Sequence, residues 1–155
     1  MQITRAADYA VRVMVHLAAE PPAQKYPLHE LAAATGVLES FLSKILQRLV
    51  HQGLLLSQRG SGGGFVLNRA PDQITLLDVV EAIEGPTQLN QCVGEAGFCQ
   101  RKAFCGVSAI WERAQASLAQ VLGGVTIAQL AEETARPLVP LQDDSSDVVK
   151  SVSVP

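Results

Sequence analysis

Residues 39–67 read ESFLSKILQRLVHQGLLLSQRGSGGGFVL, and this stretch decides the fold. Its first half places Phe41, Leu42, Ile45, Leu46 and Leu49 at helical spacing, the inward stripe of a helix from about Glu39 to Gln52. Gly53 is its stop, because a glycine just past the last turn accepts the left-handed backbone that closes a helix. Leu54-Leu55-Leu56 and Phe65-Val66-Leu67 then read as two strands, joined by Gly60-Ser61-Gly62-Gly63-Gly64 as a hairpin.

Upstream, Pro27 opens a short helix from Leu28 to about Thr35, and Gly36 breaks it. Thr4 caps a first helix running to about Glu20, with Tyr9, Ala10, Val13, Met14, Leu17 and Ala18 as its apolar stripe and Pro21-Pro22 as its end. Two short helices with a glycine turn, followed by a glycine-tipped hairpin, make a winged helix-turn-helix. The fold class is therefore mainly α with a small β-hairpin wing.

In that fold the second helix enters the major groove with its N-terminal side chains at the base edges. Glu39, Ser40, Phe41, Ser43 and Lys44 hold the leading or outward positions. Lys44 and Arg48 lie one turn apart and can both meet phosphates. Arg59, just before the wing tip, can enter a minor groove, while Gly62 and Gly63 let the backbone approach the duplex without side-chain clashes. The plainer alternative is a hairpin that is only a turn, on helices that are only core.

The net charge of −3 hides an asymmetry. Residues 1–70 hold seven Lys/Arg against four Asp/Glu, whereas residues 71–155 hold five against eleven. Phosphate binding follows local cation density, so the first half suits DNA and the second does not. With 155 residues, 48% of them hydrophobic, the chain can bury a real core. There is no apolar run of the ~20 residues a membrane span requires and no secretion signal at the N-terminus, so a reducing cytoplasm is the expected location.

Downstream, Thr75 with Asp78 starts a helix that Gly85 closes. Another helix runs from about Gly106 to Leu122, and Thr126 with Gln129 forms a capping box for a last one over 127–134. Val107, Trp111, Ala114, Leu118 and Val121 are spaced four, three, four, three, the seam of a short coiled coil; an ordinary intrachain amphipathic helix is the alternative. Residues 1–84 thus read as the DNA-binding domain, 85–105 as a cysteine loop, 106–136 as a dimerisation helix plus a short helix, and 137–155 as a disordered tail.

The three cysteines, Cys92, Cys99 and Cys105, fall within fourteen residues among glycines. Thiolates are soft ligands for iron–sulfur clusters, zinc or copper(I). The paired C-x2-C knuckles usual for zinc are missing, and the longer gaps suit a multi-iron cluster better. Zinc, a redox disulfide or three unrelated buried cysteines are the other readings.

The sequence resembles the iron–sulfur regulator family that includes IscR, NsrR and RirA. The likeness rests on Ile3-Thr4, Asp8 to Arg12, Phe41 to Leu46, Leu49 to Leu54, Arg59-Gly60 with Gly62-Gly63-Gly64, Leu76 to Ile83, the three cysteines, and Thr126-Ile127 with Leu130. It implies a homodimer in which a long helix of each subunit crosses the other, and cluster ligation by the cysteines. IscR-like members place a histidine three residues after the last cysteine, where this chain has Ser108. NsrR-like members use a first-helix aspartate from the partner subunit, and Asp8 matches that position. Asp8 with the absent histidine favours [4Fe–4S] over [2Fe–2S]; Glu95 and water are the other fourth ligands, and an ion pair with Arg12 is the other role for Asp8.

The function expected is a DNA-binding regulator, a repressor of a palindromic operator, whose cluster senses nitric oxide, redox state or iron supply. No nucleophile–base pair suggests an enzyme and nothing suggests a small-molecule substrate. A zinc- or thiol-based winged-helix regulator and a small iron–sulfur electron carrier are the competing classes.

Overall fold

The computed structural model describes residues 3–60, 62–90, 93 and 104–135. Most of the cysteine segment, including Cys92, Glu95 and Cys99, and the expected tail from 137 onward lie outside them. Among the described residues there are six α-helices and one two-stranded antiparallel hairpin.

Helix α1 spans Arg5–Ala19; the Thr4 hydroxyl accepts from the Ala7 N–H at its start, and extended Glu20 ends it ahead of two prolines. Its buried stripe is Ala7, Ala10, Val13, Met14 and Leu17, with Tyr9 and Ala18 on the half-buried flanks. Helix α2 spans Leu28–Thr35, and Gly36 closes it with a left-handed φ of 68°. Helix α3 spans Glu39–His51. Its end is a Schellman turn: the Leu54 N–H donates to the Leu49 carbonyl, and the Gly53 N–H, at φ 70°, donates to that of Val50. That turn takes Leu54 out of the first strand, which moves on to β1, Leu55–Gln58.

Strand β2 is Gly64–Leu67, and the register pairs Leu55 with Leu67 and Gln58 with Gly64. A third segment joins on the far edge. Tyr26 exchanges two backbone hydrogen bonds with Phe65, at 3.0 and 2.9 Å. A Cβ on Gly64 would lie 2.6 Å from the Tyr26 carbonyl carbon, so only glycine allows this approach. The wing is thereby tied to the loop between α1 and α2.

Helix α4, Leu76–Glu84, begins with a reciprocal capping box between Thr75 and Asp78. Helix α5, Ser108–Gly123, starts two residues later than expected, with Val107 as an N-cap that offers no side-chain hydrogen bond. Helix α6, Ile127–Ala135, has the expected Thr126–Gln129 capping box.

One hydrophobic cluster serves all of these except α5. Met14, Leu31, Leu42, Leu46, Leu49, Val79 and Ile127 meet in it, so α6 returns to pack on the helices of the N-terminal half. Backbone bonds from Leu76 to Val125 and from Ile127 to Ile74 fasten that return. Helix α5 lies along α4 and buries only Ser108.

Candidate nucleic-acid interface and cysteine site

Helix α3 rotates by 100° per residue, so burying Leu42, Ile45, Leu46 and Leu49 fixes what faces out. The outward arc is Ser40, Lys44, Gln47 and His51, all exposed. Glu39 is exposed and Ser43 half-buried on the side toward the wing. Phe41 and Arg48 lie on the other side, toward α1 and α4. Of the α3 residues expected at the DNA, Glu39, Ser40, Ser43 and Lys44 thus share this surface or its wing side, whereas Phe41 and Arg48 do not, and the arc also holds Gln47 and His51, which the expected set left out. Continuing the progression from Ser40 through Lys44 by three and then four residues would have found both.

Two grooves flank that surface. One, of about 750 Å³, runs between α3 and the end of α4 and is bordered by Phe41, Lys44, Gln47, Arg48, His51 and Glu84 among others. The other, of about 320 Å³, separates α3 from the wing; Gln47, Val50, Ser57, Arg59 and Phe65 line it. Arg59 is exposed at the wing. Gly60 and Gly62 hold left-handed φ values of 100° and 76°, and the Gly63 N–H closes the tip on the Gly60 carbonyl.

Arg48 is tied to the protein itself. Its Nη1 donates to the Ile83 carbonyl at 2.9 Å, where a cation complements the C-terminal end of α4. The guanidinium has further donors for a phosphate, but its position is set from inside the protein.

The first helix reaches the recognition helix through an aromatic contact. Asp8 pairs with Arg12 at 2.8 Å, both side chains exposed. Such an exposed i,i+4 pair contributes about 0.3–0.5 kcal/mol. The Arg12 guanidinium lies 5.7 Å from the Tyr9 ring centre, and Tyr9 meets Phe41 edge-on at 5.8 Å. Phe41, placed by sequence both inside and at the DNA, is 40% exposed, with its ring on Tyr9. At the helix start, Glu84 accepts from the Thr4 backbone N–H and hydroxyl, which joins α1 to the end of α4.

Of the cysteines only Cys105 lies among the described residues; it is exposed and unpaired. The described residues contain no group of three potential metal ligands. Ser108, one turn later, is buried, and its hydroxyl has no hydrogen-bond partner there. Along α5, Ala114 and Leu118 are half-buried within the chain, while Val107, Trp111 and Val121 are exposed together with Ile110, which the expected seam left out.

The Tyr26 hydroxyl donates to Glu20 at 2.8 Å. Burial, then the Glu20 hydrogen bond and the charges of Glu20 and Glu30, push its pKa up to about 12. The phenol therefore stays protonated at neutral pH and keeps this tie between α1 and the wing.

The comparisons agree with this geometry. Residues 3–133 match the model of the Rrf2 family, described as an iron-dependent transcriptional regulator. Protein aau3 of Rhizobium meliloti (strain 1021) is 39% identical over 141 residues, covering 90% of this chain and 89% of that protein. The HTH-type transcriptional regulator IscR of Sodalis glossinidius (strain morsitans) is 30% identical over 147 residues, 94% of this chain and 88% of that one. Among solved structures, CymR, the global cysteine regulator of B. subtilis, superposes with a TM-score of 0.70 at 27% identity, over 86% of this chain and 98% of that one. The IscR of T. potens gives 0.66 at 26%, over 90% and 94%. IscR and CymR are transcription regulators rather than enzymes, and no helix among the described residues is long and apolar enough to cross a membrane. The winged helix-turn-helix, the outward arc of α3 and these likenesses together place the chain in the Rrf2 family of DNA-binding transcription regulators, which includes IscR.

Proposed function

We propose that this regulator is a homodimeric repressor of a palindromic operator whose affinity is set by an iron–sulfur cluster on Cys92, Cys99 and Cys105, with Asp8 of the partner subunit as fourth ligand. The observation that carries the reading is the state of Cys105 and Asp8. Cys105 is exposed and unpaired, directly before a helix whose own apolar side chains stand in solvent. Among the described residues Asp8 is held by an exposed pair with Arg12 alone, which it can exchange for another cation at small cost.

The donor set fits the group. Three thiolates are soft ligands suited to iron–sulfur clusters. Ser108 stands where the resemblance places a histidine in IscR-like members, and its buried hydroxyl is no substitute for an imidazole; of the remaining candidates, Asp8, Glu95 and water, Asp8 is taken here as the fourth ligand. A cluster with one carboxylate ligand, here taken as [4Fe–4S], would supply an iron site open to nitric oxide, oxygen or iron loss.

The chain's own residues then connect that site to DNA. Asp8 shares α1 with Arg12 and Tyr9, and Tyr9 bears on Phe41 at the head of the recognition helix. Holding Asp8 from a second subunit fixes α1 of one protomer against its partner, and with it the spacing of two recognition helices over adjacent major grooves, about one DNA turn apart. Ser40, Lys44 and the Arg59 wing do the binding, with Glu39, Ser43, Gly62 and Gly63 shaping its edge.

Iron and acid-labile sulfide analysis with a visible spectrum, on protein purified without oxygen, is the test. Equal iron and sulfide with visible bands support the reading, and Asp8→Ala should then make the bands more labile and narrow the difference in operator affinity between the loaded and stripped protein. The likeness to a cysteine regulator favours one second reading, a thiol- or zinc-based switch. Protein that stays colourless after anaerobic reconstitution would select it.

A further inference from the structure

Helix α3 presents four exposed residues opposite its buried stripe: Ser40, Lys44, Gln47 and His51. Of these, Gln47 borders both grooves, the one toward α4 and the one toward the wing. A side chain on the ridge between two grooves is the one a duplex meets first. Its amide makes no hydrogen bond among the described residues, so Nε2 is a free donor and Oε1 a free acceptor. Arg48, one position on, is instead turned to the Ile83 carbonyl.

We propose that Gln47 reads an adenine in the major groove, a role that rests on the DNA-binding reading above. A glutamine amide pairs with adenine in two hydrogen bonds, donating to N7 and accepting from the N6 amino group. The spacing suits this. From Ser40 to Gln47 the helix rises about 10 Å at ~1.5 Å per residue, the height of roughly three bases at ~3.4 Å each. Ser40, Lys44 and Gln47 therefore address a run of about three base pairs, and Gln47 reads the one nearest the wing. Gln47 shares the wing groove with Arg59, so base reading and minor-groove insertion are set on adjoining sites. His51, a full turn further on, lies beyond the bases and faces the backbone.

The test is selection of binding sites from a randomised duplex by the full-length protein, with Gln47→Ala and Gln47→Glu beside it. Both variants change an exposed side chain, and unchanged thermal melts will establish that they fold. The wild type should select adenine at one position of each half-site. Gln47→Ala should lose that preference by about tenfold or more, while the remaining positions and the affinity for unrelated DNA stay as they were. Gln47→Glu should move the preference to cytosine, whose N4 amino group a carboxylate accepts from. Identical profiles for all three proteins would overturn the assignment. Failure of the wild type to select any sequence would overturn the DNA-binding reading itself, and the role of Gln47 with it.

Discussion

Helices α3 and α5 are of similar length, thirteen and sixteen residues, and both carry apolar side chains at helical spacing. In α3 the stripe is used up within the chain: Leu42, Ile45, Leu46 and Leu49 are buried. In α5 only Ser108 is buried, while Ile110 is 55% and Val121 67% exposed. The core around α3, closed by Ile127 of α6, is therefore a finished unit, whereas α5 presents a face that the described residues leave uncovered. Exposed apolar residues in a row signal a partner rather than a fold. In a family whose members typically dimerise, a second copy is the natural one.

Breaking the finished unit should have the largest effect. Leu46→Ala removes a fully buried side chain at the centre of the core and should cost about 2–5 kcal/mol, read from a denaturant melt. The matching change on α5 should act elsewhere. Ile110→Asp with Val121→Asp should leave the melting of the DNA-reading half nearly unchanged while sedimentation shows monomers. Operator affinity should then fall by roughly a hundredfold or more, because the two half-sites are no longer bound by linked modules. A dimer that survives this pair of charges would shift the interface off the exposed face of α5.

The wing sharpens the contrast on a smaller scale. Gly64→Ala would drive a Cβ into the Tyr26 backbone and should destabilise by about 1–3 kcal/mol, with loss of protection at the Tyr26 and Phe65 amides in hydrogen exchange. The smallest effect is expected at high pH. The Tyr26 phenol has its pKa raised from 10.0 to about 12, so its contribution to stability is complete below pH 10 and is lost as pH rises through 12. Tyr26→Phe should lose the hydrogen bond to Glu20 and show a shallower alkaline decline than the wild type in melts over that window.

Local signals were legible where the chain states them locally. Gly36, Gly53 and Gly85 end their helices where a glycine stop was expected, and the three threonine caps, Thr4, Thr75 and Thr126, are in place. The first strand was displaced because the Schellman turn after α3 claims the Leu54 amide, a preference that hydrophobicity alone does not reveal. Ser40, Lys44 and Arg59 are exposed, the first two on α3 and the third at the wing. Gln47 was overlooked because a polar residue on a helix carries no mark of its own; only the burial of its neighbours and the nearness of the wing distinguish it.

The sequence by itself determined which residues share a helical face, where the helices stop, and that the cations gather in the first half. Those are properties of 3.6-residue periodicity, backbone stereochemistry and charge. Tertiary structure decided what each face meets. It left Leu118 half-buried and Ile110 in solvent, drew Ile127 back into the N-terminal core, paired Tyr26 with the wing, and bound Arg48 to the end of α4. The physical reason is that such contacts join residues as many as a hundred positions apart or more, as between α1 and α6. Their free energy depends on how whole elements pack, and no local window of sequence contains that.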